Sequence, residues 1–151
     1  MADVILGTAT DKQGSVVTLK YADSIAGSPV CYAFLKNFVA LMDSGFTHNA
    51  MAGHNKCRAI YAEIDGQIVG HIVFEILDDA WKTAWITLST VDSDFRRRGL
   101  YGIIHKSFEA NVKSRGSKKI SSFVHVNNTV RQASCAKIGM KPVYYKMEKD
   151  I

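Results

Sequence analysis

Two apolar runs, Cys57 to Ile64 and Gln67 to Leu77, flank the dipeptide Asp65-Gly66. Both positions of such a pair tolerate the positive φ that a two-residue turn demands, so the segment predicts a tight β-hairpin. A third β-rich run, Lys82 to Val91, extends it to an antiparallel meander. The rest of the chain is read around that sheet. Val16 to Tyr21 predicts an earlier strand, and residues 1 to 15 are either an added strand over Val4 to Ala9 or a mobile end. Val30, Ala33, Phe34, Phe38 and Leu41 recur at helical spacing and stop at Asp43-Ser44-Gly45. The polar stretch Phe46 to Lys56, with His48, Met51 and His54, reads as loop or short helix.

Downstream of the meander, Leu100, Ile103, Ile104, Phe108 and Val112 form one stripe, so Gly99 to Ser114 predicts an amphipathic helix closed by Gly116. Lys119 to Val126 predicts a strand, Asn128 caps a helix running to Ile138, and Pro142 to Lys146 predicts a final strand. The result is a mixed α+β sheet. The strands before and after the Gly99 helix should lie parallel, joined by a right-handed crossover.

With 151 residues, the chain falls in the range of one domain, expected to span 1–151. Three cysteines, Cys31, Cys57 and Cys135, form no close pair and leave one thiol over under any disulfide scheme, as a reducing compartment allows. No metal is expected from the five histidines and three cysteines. No apolar run is long enough to cross a bilayer and the start lacks a leader pattern, which predicts a cytoplasmic protein without membrane contact.

The net charge of +5 is unevenly spread: from Phe95 onward thirteen Lys and Arg face three acids, while residues 1 to 94 hold six bases and eleven acids. Three of those bases, Arg96, Arg97 and Arg98, stand immediately before Gly99 and a helix. A helix start presents unpaired amides and about half a positive charge, so it attracts anions. Gly99 and Gly102 remove the Cβ atoms that would hold a diphosphate away from the backbone.

The segment Val91 to Gly102 resembles the phosphate-binding junction of the GCN5-related N-acetyltransferase (GNAT) superfamily. That motif reads Arg or Gln, any two residues, Gly, any residue, then Gly or Ala. Arg96 and Gly99 match it; Tyr101 takes the last place, with Gly102 one residue later. The hairpin Glu63 to His71 and the segment Asn128 to Met140 are similar to the same family in the same order. The resemblance implies a mostly antiparallel, mixed sheet of six to seven strands flanked by helices, with a splayed parallel pair of strands at the cofactor site. It implies acetyl-coenzyme A as co-substrate, held by Ser89, Thr90, Val91, Arg96, Arg97, Arg98, Gly99, Leu100, Tyr101, Gly102 and Asn128. It implies acyl transfer to an amine on a small molecule, a protein lysine or an N-terminus, with an RNA acceptor left open.

Many members of that family carry a proton-donating tyrosine seven residues after the asparagine aligned with Asn128. Here Cys135 stands there, and Ser134, Tyr144 and Tyr145 are the substitutes. Glu75, and after it Glu63, is the candidate base. Trp81 and the Phe46 to Lys56 loop are expected to border the acceptor pocket. His71 and His125 read as hydrogen-bonded residues inside apolar strands. The family usually adds a seventh strand, for which few residues remain, so either the sheet ends one strand short, or an N-terminal strand or a second subunit in a homodimer completes it. Two other readings stand beside acyl transfer: a nucleic-acid-binding module using the basic half, or a relative that binds the coenzyme without turnover, to which the departures Tyr101 and Cys135 point.

Overall fold

The computed structural model describes residues 2–46 and 56–151, so the histidines and methionine of the polar loop at 48, 51 and 54 lie outside the described residues. Strands β1 (Val4–Thr10) and β2 (Val16–Ala22) precede helix α1 (Val30–Asp43). The meander follows as β3 (Arg58–Ile64), β4 (Gln67–Ile76) and β5 (Ala84–Val91). Helix α2 (Leu100–Ser114), strand β6 (Ile120–Ser122) and helix α3 (Thr129–Lys137) complete it. The strands form one sheet in chain order, β1 to β6. All neighbours are antiparallel except β5 and β6, which run parallel across the α2 crossover.

Alternation along β3 and β4 places the two helices. Ile60, Ile72 and Phe74 point to one face and are buried with Leu100, Ile104 and Phe108 of α2. Ala59, Tyr61 and Val73 point to the other and are buried with Val30, Phe34 and Phe38 of α1. Phe74 and Phe108 meet edge to face at 4.9 Å, an arrangement that aromatic quadrupoles favour. Gly70 lets α2 lie this close: a Cβ there would come within 2.8 Å of Ile104 Cδ1 and 3.0 Å of the Thr90 carbonyl. The β3–β4 turn has φ of 50° at Asp65 and 77° at Gly66, the positive values its residue types predicted.

The residues before Val16 do form a strand. Asp3, just ahead of it, ties that strand to the core by accepting hydrogen bonds from Tyr61 Oη at 2.7 Å and Ser28 Oγ at 2.6 Å. This added strand lies beside β2, so β6 remains the opposite edge. Two expectations fail at that edge. Strand β6 covers only Ile120–Ser122 instead of Lys119 to Val126, because the Ser122 hydroxyl turns to the Ile86 carbonyl at 3.2 Å and pairing stops there. Residues 142–146 form no strand: Val143 is 70% and Tyr144 90% exposed, with neither a sheet edge nor an apolar face to hold them. β-propensity without a partner did not suffice.

His71 sits in β4 as expected, but neither ring nitrogen has a partner in hydrogen-bonding geometry. Burial, offset in part by the Ala33 carbonyl, lowers its pKa from 6.5 to about 4. The unfolded chain therefore binds the extra proton first, and the folded state loses stability as pH falls from 6.5 to 4. At 1.36 kcal/mol per unit the loss reaches about 3 kcal/mol. Denaturant titrations across that window should show this slope in the wild type and a shallower one in His71→Leu.

Candidate functional site

Strand β5 is paired to β6 only through Ala84, Trp85 and Ile86. Past Ile86 the register to β4 shifts as well, Val73 facing Leu88 while Phe74 faces Ile86, so Thr87 is the extra residue of a bulge. A bulge bends and twists its strand where β6 ends, and among the described residues Thr87 to Val91 has no strand partner on the β6 side. This is the splayed parallel pair. Ser89, Thr90 and Val91 line that stretch half-buried, and the Ser89 hydroxyl is buried without a partner.

At the top of the free edge the chain makes one 3₁₀ turn, Ser93–Phe95, then enters α2. Arg97 and Gly99 take left-handed φ of 62° and 80°. The first helical hydrogen bond runs from the Ile103 amide to the Gly99 carbonyl at 3.2 Å, so the amides of Leu100, Tyr101 and Gly102 have no partner inside the helix. A Cβ at Gly102 would meet nothing within 4 Å, which leaves these amides open to an anion. Leu100 contributes only its backbone, since its side chain is 1% exposed in the core.

The three arginines play different parts. The Arg96 side chain folds back, Nε donating to the Val91 carbonyl at 3.1 Å. Arg97 is exposed. Arg98 is committed elsewhere: its Nε donates to Asp11 Oδ2 at 2.7 Å, and its Nη2 lies 2.6 Å from the same oxygen and 2.8 Å from Ser15 Oγ. The Arg98 carbonyl also accepts from the Lys12 amide at 3.0 Å. The guanidinium and carbonyl of Arg98 thus anchor the loop to the β1–β2 turn. Asp11, which the sequence reading missed, is the other half of the anchor. Its Oδ1 accepts from the Gln13 and Ser15 amides at 2.9 Å each, the Asx-turn habit that its place before Gly14 could have signalled.

On the α1 face of the bulge, Cys57 Sγ lies 3.8 Å from Thr87 Oγ1. Burial pushes the Cys57 thiol up, the Thr87 hydroxyl draws it partly down, and the charge of Glu75 adds to the rise, so Cys57 stays protonated beside Glu75. Glu75 faces Trp85 across β4 and β5. Glu63, the second candidate base, is engaged with Lys20 Nζ at 3.0 Å near the β3–β4 turn. Cys135 is 8% exposed on α3, and Ser134 donates to the Val130 carbonyl at 3.1 Å. Asn128 caps α3, its Oδ1 accepting from the Arg131 amide at 3.1 Å. Tyr144 and Tyr145 stand on the exposed C-terminal segment, and Trp81 lies under Lys119 Nζ at 3.6 Å, at the end of β5 away from the arginine loop. His125 is exposed, not inside a strand, and stacks on Phe46 at 5.4 Å.

With this geometry in view, the sequence profile of the Acetyltransferase (GNAT) family matches residues 29–140. The chain belongs to that family. The matched span runs from the start of α1 through α3 and takes in both the splayed strands and the arginine loop. Solved structures with the GNAT fold agree with the architecture. A ribosomal-protein-alanine N-acetyltransferase from Brucella melitensis biovar Abortus 2308 superposes with a TM-score of 0.67 at 12% identity, covering 89% of this chain and 99% of that one. An aminoglycoside acetyltransferase from an uncultured soil metagenomic sample, in complex with sisomicin, gives 0.62 at 10% identity over 89% and 96%. The AAC(6')-Iy structure in complex with a bisubstrate analog, CoA-S-monomethyl-acetylneamine, gives 0.53 at 15% identity over 78% and 93%. A comparison with curated protein sequences finds no match. Among the described residues no group of His, Cys, Asp and Glu gathers at metal-binding distance, and no helix is long and apolar enough to cross a membrane.

Proposed function

We propose that this GNAT-family protein transfers an acetyl group from acetyl-coenzyme A to a primary amine. The observation that carries the reading is the free edge of Thr87 to Val91 leading directly to the unpaired amides of Leu100, Tyr101 and Gly102. A diphosphate fits the open approach at Gly102, and an extended amide-bearing chain fits the edge as an added strand would. Arg96 and Arg97, exposed at the loop, add long-range attraction. The coenzyme supplies a thioester whose acyl carbon is open to attack by a neutral amine.

The chain's own groups then have two proton tasks. As the amine nitrogen bonds to the acyl carbon and the carbon–sulfur bond breaks, one proton leaves the nitrogen and one reaches the departing thiolate. Glu75, beside the bulge, is the acceptor proposed for the first. Cys135, on α3 at the family's tyrosine position, is the donor proposed for the second. Cys135→Ala is expected to lower turnover about tenfold with coenzyme affinity unchanged. Steady-state rates beside calorimetric titration check this, and unaltered turnover removes Cys135 from the mechanism.

The acceptor proposed is a cationic small molecule of the kind the sisomicin-bound neighbour holds, drawn by the acidic first half of the chain. Protein lysine, N-terminal peptide and RNA amines are the competing arms of one assay. Coenzyme thiol release is measured with acetyl-coenzyme A against that panel. Release with an aminoglycoside or polyamine supports the reading; tight coenzyme binding without release on any arm leaves a non-catalytic binder. A nucleic-acid module is disfavoured, because the apolar stripe of α2, Leu100, Ile104, Phe108 and Val112, is buried against the sheet.

A further inference from the structure

The family motif calls for glycine or alanine where this chain has Tyr101, and the structure shows what the larger side chain does. Arg131, at the first turn of α3, donates from Nη1 to the Tyr101 hydroxyl and holds its guanidinium 5.3 Å from the centre of the Tyr101 ring. The same ring stacks on His105 at 6.1 Å. Tyr101 is therefore held by two neighbours. Burial, partly offset by Glu109, lowers the His105 pKa, and the positive charge of Arg131 lowers it further, so the ring beside the clasp is neutral at physiological pH.

What remains unexplained is the second guanidinium nitrogen. Arg131 Nη2 is buried and, among the described residues, has neither a hydrogen-bond partner nor an ion pair. An unsatisfied buried donor on a charged group is costly and is rarely kept without a ligand to meet it. The Tyr101 hydroxyl, having accepted from Nη1, also keeps its own proton to donate. Tyr101 itself belongs to the first turn of α2, whose amides of Tyr101 and Gly102 have no partner inside the helix.

We infer that Arg131, held by Tyr101, is a binding residue for the diphosphate of the acyl-coenzyme A, supplying from α3 a charged donor to the amides of the α2 turn. The inference rests on the proposed function and deepens it: one helix offers neutral amides, the other a guanidinium. An arginine serves this better than a lysine, because one nitrogen can hold Tyr101 while the other meets a phosphate oxygen.

Calorimetric titration tests this with two probes, coenzyme A and 3′-dephospho-coenzyme A, which share the diphosphate and differ at the ribose phosphate. Arg131→Ala is expected to weaken both by about ten- to a hundredfold, and Arg131→Lys by less. Tyr101→Phe leaves the ring packing in place but releases the clasp, so roughly a threefold loss on both probes is expected; it carries the test should Arg131→Ala fail to fold. Unchanged affinity in a folded Arg131→Ala or in Tyr101→Phe overturns the inference, as does a loss confined to coenzyme A. Those results leave the proposed function standing if the wild type binds. A wild type that binds neither probe overturns both.

Discussion

Replacing Gly99 with valine is expected to weaken coenzyme binding by about a hundredfold or more while the protein still folds. Gly99 has φ of 80° and ψ of 8°, a left-handed conformation in which a β-branched side chain is strained by about 1–3 kcal/mol. Space is not the obstacle: an added Cβ would meet only the flexible Lys12 side chain, at 3.4 Å. The strain is relieved when the backbone leaves the left-handed region, and that rotation turns the amides of Leu100 to Gly102 out of line. Gly102→Val separates the two effects. Beyond its own helix backbone and chain neighbours nothing lies within 4 Å of its Cβ position, so it should keep the wild-type melting temperature and still obstruct the phosphate. Titration calorimetry beside thermal melts reads both. A Gly99→Val protein that binds the coenzyme like the wild type would show that the shape of this turn does not matter.

Asp11→Ala should produce the second large effect, at a residue on the β1–β2 turn that acts on the proposed coenzyme site only by holding Arg98. Removing the carboxylate strands the Arg98 guanidinium, which is 11% exposed, and frees the Gln13 and Ser15 amides together. The melting temperature is expected to fall by roughly 5–10 °C. Coenzyme affinity should drop about tenfold, because the loop loses its fixed position and ordering it is charged against binding. Asp11→Asn keeps an acceptor for the two amides and should fall between. Burial alone would raise the Asp11 carboxyl, but the Ser15 amide, Arg98 and the Gln13 amide outweigh it and hold the group below its ordinary value of 3.8. With the folded value depressed, this stabilisation is present above about 3.8 and disappears as pH falls through the lowered value. The acid limb of a wild-type stability profile should therefore be steeper than that of Asp11→Asn. Equal limbs, with equal coenzyme affinity, would remove the anchor from the account.

The parts of this fold that depend on neighbours in sequence were legible in advance. Asp65-Gly66 sets its own hairpin, the stripe from Leu100 to Val112 sets its own helix, and Asn128 caps the turn that follows it. The arginine loop was legible as a helix entry with unpaired amides, because those groups belong to its own backbone. What could not be read were partnerships across long stretches of chain. Asp11 meets Arg98 eighty-seven residues away, and Cys57 meets Thr87 thirty away. Residues 142–146 failed the other way: Val143, Tyr144 and Tyr145 have strand propensity, yet no edge receives them. Arg131 combined both difficulties, since its significance depends on a tyrosine thirty positions earlier and on a nitrogen left without a partner.

The most direct test follows backbone amides of ¹⁵N-labelled protein as acetyl-coenzyme A is added. Saturable shifts that are largest at Leu100, Tyr101 and Gly102, accompanied by smaller ones along Thr87 to Val91, are the predicted result. Saturable shifts confined to any other surface, or no shift at all at millimolar coenzyme, would contradict it.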